Sequence, residues 1–190
     1  MPPPSPPPST PPADTARPPT QPTADPPRRP RPDEEPVIRS HELTLGRSFG
    51  VAFDHGDDFF TALTQFCAQH HVRHAYIPGF IAGFSDVDIV GTCEKLANPE
   101  APVWSKVHLT NVEALGGGTL AFDETNDQVH PHIHVAVGLK ERSATGRTSH
   151  LLRAQVQFLT EMLVIEVTSP ALLRRRNPDL YDVPQLHFGP

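Results

Sequence analysis

The chain has 190 residues, a length that suits one folded domain, and 24 of them are proline. Its formal net charge of −6 at pH 7 argues against the basic surface that nucleic-acid-binding domains usually carry. Two cysteines, Cys67 and Cys93, are too few for a disulfide framework. We therefore expect a reduced compartment, the cytoplasm, with both cysteines as small buried side chains. The N-terminus lacks the pattern of a signal peptide, and no apolar run reaches the roughly 18 residues of a membrane span, so we expect no membrane partner.

The first 36 residues form a proline-rich segment that holds 16 of the 24 prolines. Such a segment cannot bury enough apolar surface to offset the entropy cost of ordering it. We predict a disordered, extended tail over residues 1–36 and one domain over residues 37–190. Arg28, Arg29 and Arg31 lie in this tail, and arginines in a flexible arm can enter the minor groove of A·T-rich DNA. They are the predicted nucleic-acid-binding residues, and a solvated linker is the alternative.

In the first half of the domain, the spacing of apolar residues changes from every second position, typical of a strand, to helical spacing and back. Residues 47–54 have apolar side chains at alternate positions, which predicts a strand with one buried face. Residues 56–58 then open a helix that runs to about His71, with acidic side chains at its N-terminus. We predict two further strands, at residues 74–84 and 86–93.

Strands also dominate the second half, where we predict them at residues 103–109, 112–122, 130–138 and 157–167. The glycines at 116–118 interrupt the second of these strands. The connecting segments are predicted as a turn at 123–127, a polar loop at 142–146, a short helical turn at 149–155 and a polar loop at 174–182, after which 186–188 docks back. One helix and many strands predict an α+β domain with a mostly antiparallel sheet and one main helix.

Two histidines carry the clearest chemical pattern. His132 and His134 are two residues apart on a predicted strand, so both imidazoles point to the same face. From there they can reach one metal ion at about 2.0–2.1 Å. His150, which follows a glycine-containing loop, is the candidate third ligand, and three imidazoles plus water form a set typical of zinc. The alternative is a pair of exposed histidines that bind nothing.

The remaining histidines have simpler expected roles. A protonated imidazole is favoured at a helix C-terminus, where His70 and His71 are predicted to lie. His108 occupies a polar position on a strand. We assign these six to surface or capping positions: His41, His55, His70, His71, His74 and His187.

Short motifs that follow one another in order match one known family. They are Gly-Arg-Ser-Phe at 46–49, Gly-Asp-Asp-Phe at 56–59, the segment 78–86, His-Ile-His at 132–134 and Gly-Arg-Thr-Ser-His-Leu-Leu at 146–152. Ser149 stands where that family has a glycine. On these residues, the region from about 39 to 188 resembles the plants and prokaryotes conserved (PPC) domain family, of the prokaryotic type.

The resemblance implies an α/β fold around a mostly antiparallel sheet and a homotrimer. Prokaryotic members with these three histidines hold a metal, so it implies Zn²⁺ or another divalent ion at His132, His134 and His150. Plant members bind DNA through a separate AT-hook, and prokaryotic members are named DNA-binding by analogy. The resemblance therefore implies a DNA-binding or regulatory oligomeric protein. In this chain, residues 110–115 differ from the plant pattern.

Two enzymatic alternatives stay open, and no catalytic residue is assigned. In a zinc-dependent hydrolase, the open coordination position would activate water near neutral pH, with Asp86, Asp88 or Glu113 as a candidate base. The alternation around His132 also fits the histidine-triad nucleotide hydrolases, in which His132 would attack phosphorus. Such domains usually end soon after the triad, whereas 56 residues follow His134 here.

Overall fold

The computed structural model describes residues 38–92, 104–139 and 142–190. The predicted tail, with Arg28, Arg29 and Arg31, lies outside these residues, as does Cys93. From Ser40 onward the chain forms one compact unit. Its elements are β1 (Thr44–Asp54), α1 (Phe59–His70), β2 (Ala75–Thr92), β3 (Trp104–Asp123), β4 (Gln128–Leu139), β5 (Arg142–Ser169), β6 (Leu172–Asn177), a 3-10 turn (Pro178–Leu180) and β7 (Val183–Phe188).

Four of the strands close on one another. β2 pairs with β3 and with β5, and β4 pairs with the same two strands, always antiparallel. The sheet therefore closes into a small barrel. β1 extends it beside β5, while β6 runs parallel to β3 for a short distance and pairs antiparallel with β7.

α1 contributes one apolar face to the core. The Asp58 carboxylate caps the helix by accepting a hydrogen bond from the Thr61 N–H at 2.9 Å, and His71 ends it in a left-handed conformation with φ 54°. Phe59, Leu63 and Cys67 recur at every fourth position, so they share a face, and all three are buried. Cys67 is thus a small buried side chain, as predicted.

The predicted mostly antiparallel sheet with one main helix is confirmed. The class α+β fits only loosely, because the helix of the described part has 12 residues beside much longer strands. No helix in the described ranges is long and apolar enough to cross a membrane.

Two predicted strand breaks are wrong. The described parts of segments 74–84 and 86–93 belong to one strand, β2, because its pairing with β3 continues from Phe84 to Asp86. The described part of segment 103–109, from Trp104 onward, likewise shares β3 with segment 112–122, even though Asn111 has a positive φ of 51°.

The loops predicted after β4 are also wrong. The polar loop at 142–146 and the helical turn at 149–155 are both parts of β5, whose 28 residues pair with β1, β2 and β4. Tertiary pairing overrides the local polar sequence there. The loop predicted at 174–182 contains the end of β6, and the segment predicted to dock back is part of β7, which pairs with β6.

Candidate metal centre

β4 separates an apolar face from a histidine face. Ile133, Val135 and Val137 are at most 1% exposed and enter the core. His132 and His134 occupy the alternate positions and point the other way. β5 brings the third imidazole, because His150 pairs directly with His134 in the antiparallel register.

The three imidazoles form a compact triangle. The ring centroid of His132 lies 5.0 Å from those of His134 and His150, and the last two are 5.3 Å apart. One ring nitrogen from each residue lies within 4.8 Å of the others. The Nε2 atoms of His132 and His134 are 3.2 Å apart. Two nitrogens bound to a tetrahedral zinc ion at about 2.0–2.1 Å lie about 3.3 Å apart, so the His132–His134 pair has the spacing of two zinc ligands.

Glycines on β3 let this strand lie close to β4 behind the histidines. Gly117 pairs with His134, and Gly118 pairs with Ile133. A Cβ atom at Gly118 would lie 2.1 Å from the His132 carbonyl oxygen, and one at Gly116 would lie 2.3 Å from the Phe80 ring. No larger side chain fits at these positions without moving the strand that carries His132 and His134.

The surroundings lower the pKa of three of the histidines that line the site, His130, His132 and His150. Burial lowers the pKa of His132 to about 4, and the charge of Arg174 and the neighbouring imidazoles act in the same direction. Burial is also the main cause of the lowered pKa of His150 and of His130. A neutral imidazole has the lone pair that a metal ligand needs. In addition, the buried Nδ1 atom of His150 has no hydrogen-bond partner among the described residues.

The histidines open into a pocket of about 710 Å³. None of its lining residues in the described part of the chain is a carboxylate. The lining comprises Val90, Gly91, His130, His132, His134, Thr148, Ser149, His150, Leu152, Arg174, Val183 and Pro184.

Comparison with known proteins agrees with this architecture. Residues 40–168 match the model of the Plants and Prokaryotes Conserved (PCC) domain. The chain belongs to the PCC domain family. No curated protein matches it.

Solved structures share the PCC fold at low sequence identity. A metal-containing protein from Archaeoglobus fulgidus is 19% identical with a TM-score of 0.66, covering 79% of this chain and 99% of its own. A plant- and prokaryote-conserved protein from Pyrococcus horikoshii is 18% identical with a TM-score of 0.66, covering 79% and 97%. A protein from Bacteroides thetaiotaomicron, provisionally named DNA-binding, is 21% identical with a TM-score of 0.62, covering 77% and 97%.

The PCC domain of this chain has two further pocket residues that sequence reasoning did not assign to the site. His130 shares the face of His132 by the same period of two, so the alternation could have revealed it. Arg174 had no such signal, because it lies in a segment predicted as a loop. It reaches the site through β6, which pairs with β3 at Phe122 and Leu173.

Arg174 is half-buried and held from one side. Its Nη2 donates to the Thr119 hydroxyl of β3, while its buried Nε has no hydrogen-bond partner among the described residues. Burial lowers the pKa of the guanidinium from its ordinary value. The group remains a cation, because the pKa of arginine begins far above neutrality.

The acidic residues predicted as candidate bases do not line the pocket. Asp88 accepts from His108 at 2.7 Å and from Lys106 at 3.3 Å. Asp86 is paired with Arg153, and Glu113 is exposed on β3.

The surface or capping role predicted for His74 is wrong. Its ring is half-buried, and Nδ1 lies 3.0 Å from the Leu172 carbonyl oxygen and 3.3 Å from the Leu172 N. Burial lowers its pKa. His71 caps the helix as predicted, and His70 packs against Phe66 and Phe49.

Proposed function

We propose that this protein is a regulatory metalloprotein that binds Zn²⁺ or another divalent ion through His132, His134 and His150. The observation that carries the proposal is the approach of three imidazole nitrogens to within 4.8 Å of one another, beside a pocket. A bound zinc ion with three imidazole ligands supplies a Lewis-acid position that can accept a further ligand. The chain's own contribution is a set of three imidazoles fixed on two paired strands.

The site favours ligand binding over hydrolysis. The bases predicted for a zinc-dependent hydrolase were Asp86, Asp88 and Glu113, and none of them is among the described lining residues of the pocket. Asp86 and Asp88 form ion pairs elsewhere. The zinc-dependent hydrolase is therefore the second candidate. The histidine-triad nucleotide hydrolase is supported by the alternation of His132 and His134 with apolar residues. Membership of the PCC family adds nothing to that support.

Metal analysis of the purified full chain tests the proposal. We expect about one divalent ion per chain and loss of that ion in His132→Ala/His134→Ala. His108→Ala is the matched control, because His108 also lies on a strand but bonds to Asp88 outside the pocket. Wild-type protein that stays free of metal after incubation with zinc would refute the proposal.

We also propose a homotrimer. Its support is an apolar patch on the outer face of the sheet, formed by Ile81, Leu115 and Leu163, which are 51%, 62% and 43% exposed. Ile81 pairs directly with Leu115 on β3 and with Glu161 on β5, so these strands present one continuous surface. Exposed apolar patches of this kind mark protein interfaces.

The third part of the proposal is contact with DNA through Arg28, Arg29 and Arg31. Solved structures that share the fold include proteins provisionally named DNA-binding. Three copies of a weakly binding tail in one oligomer would raise one another's effective concentration on the duplex. This contact needs no basic surface on the domain.

Salt-dependent binding of the full chain to an A·T-rich duplex tests the DNA contact. Replacing all three arginines by glutamine should weaken binding and reduce the slope of log K against log salt by up to about 0.9 for each phosphate that is no longer neutralised. Arg17→Gln is the matched control within the same tail. Equal affinity and slope in the triple variant would exclude these arginines as the DNA-binding residues.

A further inference from the structure

We propose that the pocket binds a small organic anion, whose negatively charged head lies between the metal held by the three histidines and the guanidinium of Arg174. The inference rests on the proposed metal site and adds the class of ligand. It is carried by the unsatisfied donor of Arg174, by the sign of the charges in the pocket, and by an apolar wall.

The guanidinium of Arg174 has a donor without a hydrogen-bond partner among the described residues. Thr119 accepts from one end of the guanidinium, while the buried Nε has no hydrogen-bond partner among the described residues. No described carboxylate forms an ion pair with Arg174. A half-buried cation without an anionic partner is costly, and a guanidinium readily binds an oxyanion through two parallel hydrogen bonds. The missing partner is therefore best supplied by a ligand.

The charges in the pocket also favour an anionic ligand. Arg174 lines the same pocket as His132, His134 and His150, so its positive charge faces the proposed metal site. With a divalent ion bound, the pocket would hold that ion, the guanidinium and neutral imidazoles. The described lining residues contribute no negative charge. A bound cation usually dominates such a site, so an anion is needed for balance.

The apolar wall of the pocket favours an apolar body attached to the charged head. Val90, Leu152, Val183 and Pro184 line the pocket together with the histidines. The volume of about 710 Å³ lies in the range of small-molecule sites, roughly 300–1,000 Å³. An inorganic anion would leave these apolar side chains exposed to water, so an organic anion suits the pocket better.

A cobalt-substituted full chain provides the test, since the visible absorption of Co²⁺ depends on its ligands. The probes are butyrate, acetate, inorganic phosphate and uncharged butanol. We expect butyrate to change the spectrum saturably and to bind about tenfold more tightly than acetate, because two more methylenes contact the apolar wall. Butanol should leave the spectrum unchanged.

Arg174→Gln should weaken butyrate binding at least about tenfold, because it removes the charge-assisted hydrogen bonds. Arg175→Gln is the matched control: this neighbour on the same strand is exposed and lies 3.6 Å from Glu124. Arg174→Lys keeps the positive charge but loses the planar guanidinium that can donate two parallel hydrogen bonds. It should therefore retain part of the butyrate affinity. If Arg174→Gln does not fold, the butyrate affinity of Arg174→Lys tests the inference in its place.

The outcomes separate the two proposals. If the wild type takes up no Co²⁺, the proposed metal function fails, and this inference fails with it. If Co²⁺ binds at about one ion per chain but butyrate leaves the spectrum unchanged, only the inference is overturned. Equal butyrate affinity in the wild type and both Arg174 variants would also overturn it. Phosphate binding without butyrate binding would refute the organic class of ligand.

Discussion

His134 on β4 pairs directly with His150 on β5, and their ring centroids are 5.3 Å apart. The two residues are 16 positions apart in the sequence. A slip of one residue in this register would turn His150 to the opposite face of the sheet. The candidate metal site therefore depends on strand pairing as much as on the histidines themselves.

Gly118→Ala should damage the site without touching a histidine. The added Cβ would lie 2.1 Å from the His132 carbonyl oxygen, so β3 and β4 would have to move apart. We expect weaker metal binding and a loss of about 1–3 kcal/mol in the free energy of unfolding. Metal titration and urea unfolding measure the two effects. Gly50→Ala is the control, because nothing lies within 4 Å of its Cβ position.

Removal of the metal should lower the thermal stability of the wild type. A ligand that binds only the folded state stabilises it by about 2.7 kcal/mol at a free concentration 100 times its Kd. We therefore expect chelation to lower the Tm of the wild-type chain, while the Tm of His134→Ala stays the same. Calorimetry with and without a chelator measures this, and an equal shift in both proteins would contradict a site at His134.

Phe59→Ala should cost about 3–5 kcal/mol in the free energy of unfolding. Phe59 is fully buried, and its ring packs against those of Phe53, Phe80 and Phe84 at 5.4–5.7 Å. Phe158→Ala is the contrast, because Phe158 is 70% exposed. Its effect should stay within about 0.5 kcal/mol in urea unfolding. Similar losses in both variants would contradict the placement of α1 in the core.

Stability should fall as the pH is lowered through 6.5, in part because of His74. Its ordinary pKa is 6.5, and burial lowers the pKa in the folded state. Between these two values the unfolded chain binds more protons, so the free energy of unfolding decreases with falling pH and levels off below the folded-state pKa. One such group contributes at most about 1.4 kcal/mol per pH unit.

His74→Asn tests this pH dependence. The amide can keep a polar contact with the Leu172 backbone but cannot titrate. We expect a shallower dependence of the free energy of unfolding on pH below 6.5 than in the wild type. An unchanged slope would assign the effect to the other buried histidines.

Leu115→Glu should dissociate the oligomer. Leu115 is 62% exposed in the single chain and belongs to the patch with Ile81 and Leu163. A charge there would have to be buried in an interface. Light scattering should show a trimer for the wild type and a monomer for the variant. Leu180→Glu, outside the patch on the 3-10 turn, should remain trimeric, and an unchanged mass for Leu115→Glu would reject this face.

Patterns with a clear local period could be predicted from the sequence. The strand at β1 and the helix at α1 follow from alternation and from an apolar residue at every fourth position, and the bounds found are Thr44–Asp54 and Phe59–His70. The shared face of His132 and His134 follows from the strand period of two. Motif order indicated the family, which the match over residues 40–168 confirms.

Pairing between strands that are distant in sequence determined the features that local patterns did not predict. Nothing local in residues 142–155 specifies a strand, and the sheet is extended there because β4 and β2 supply hydrogen-bond partners for β5. The same kind of contact moves Arg174 from a predicted loop to the pocket, through β6 and its pairing with β3. Local sequence determines which face a side chain occupies, because the strand period is fixed. Tertiary structure decides which faces meet, because that depends on register between distant segments.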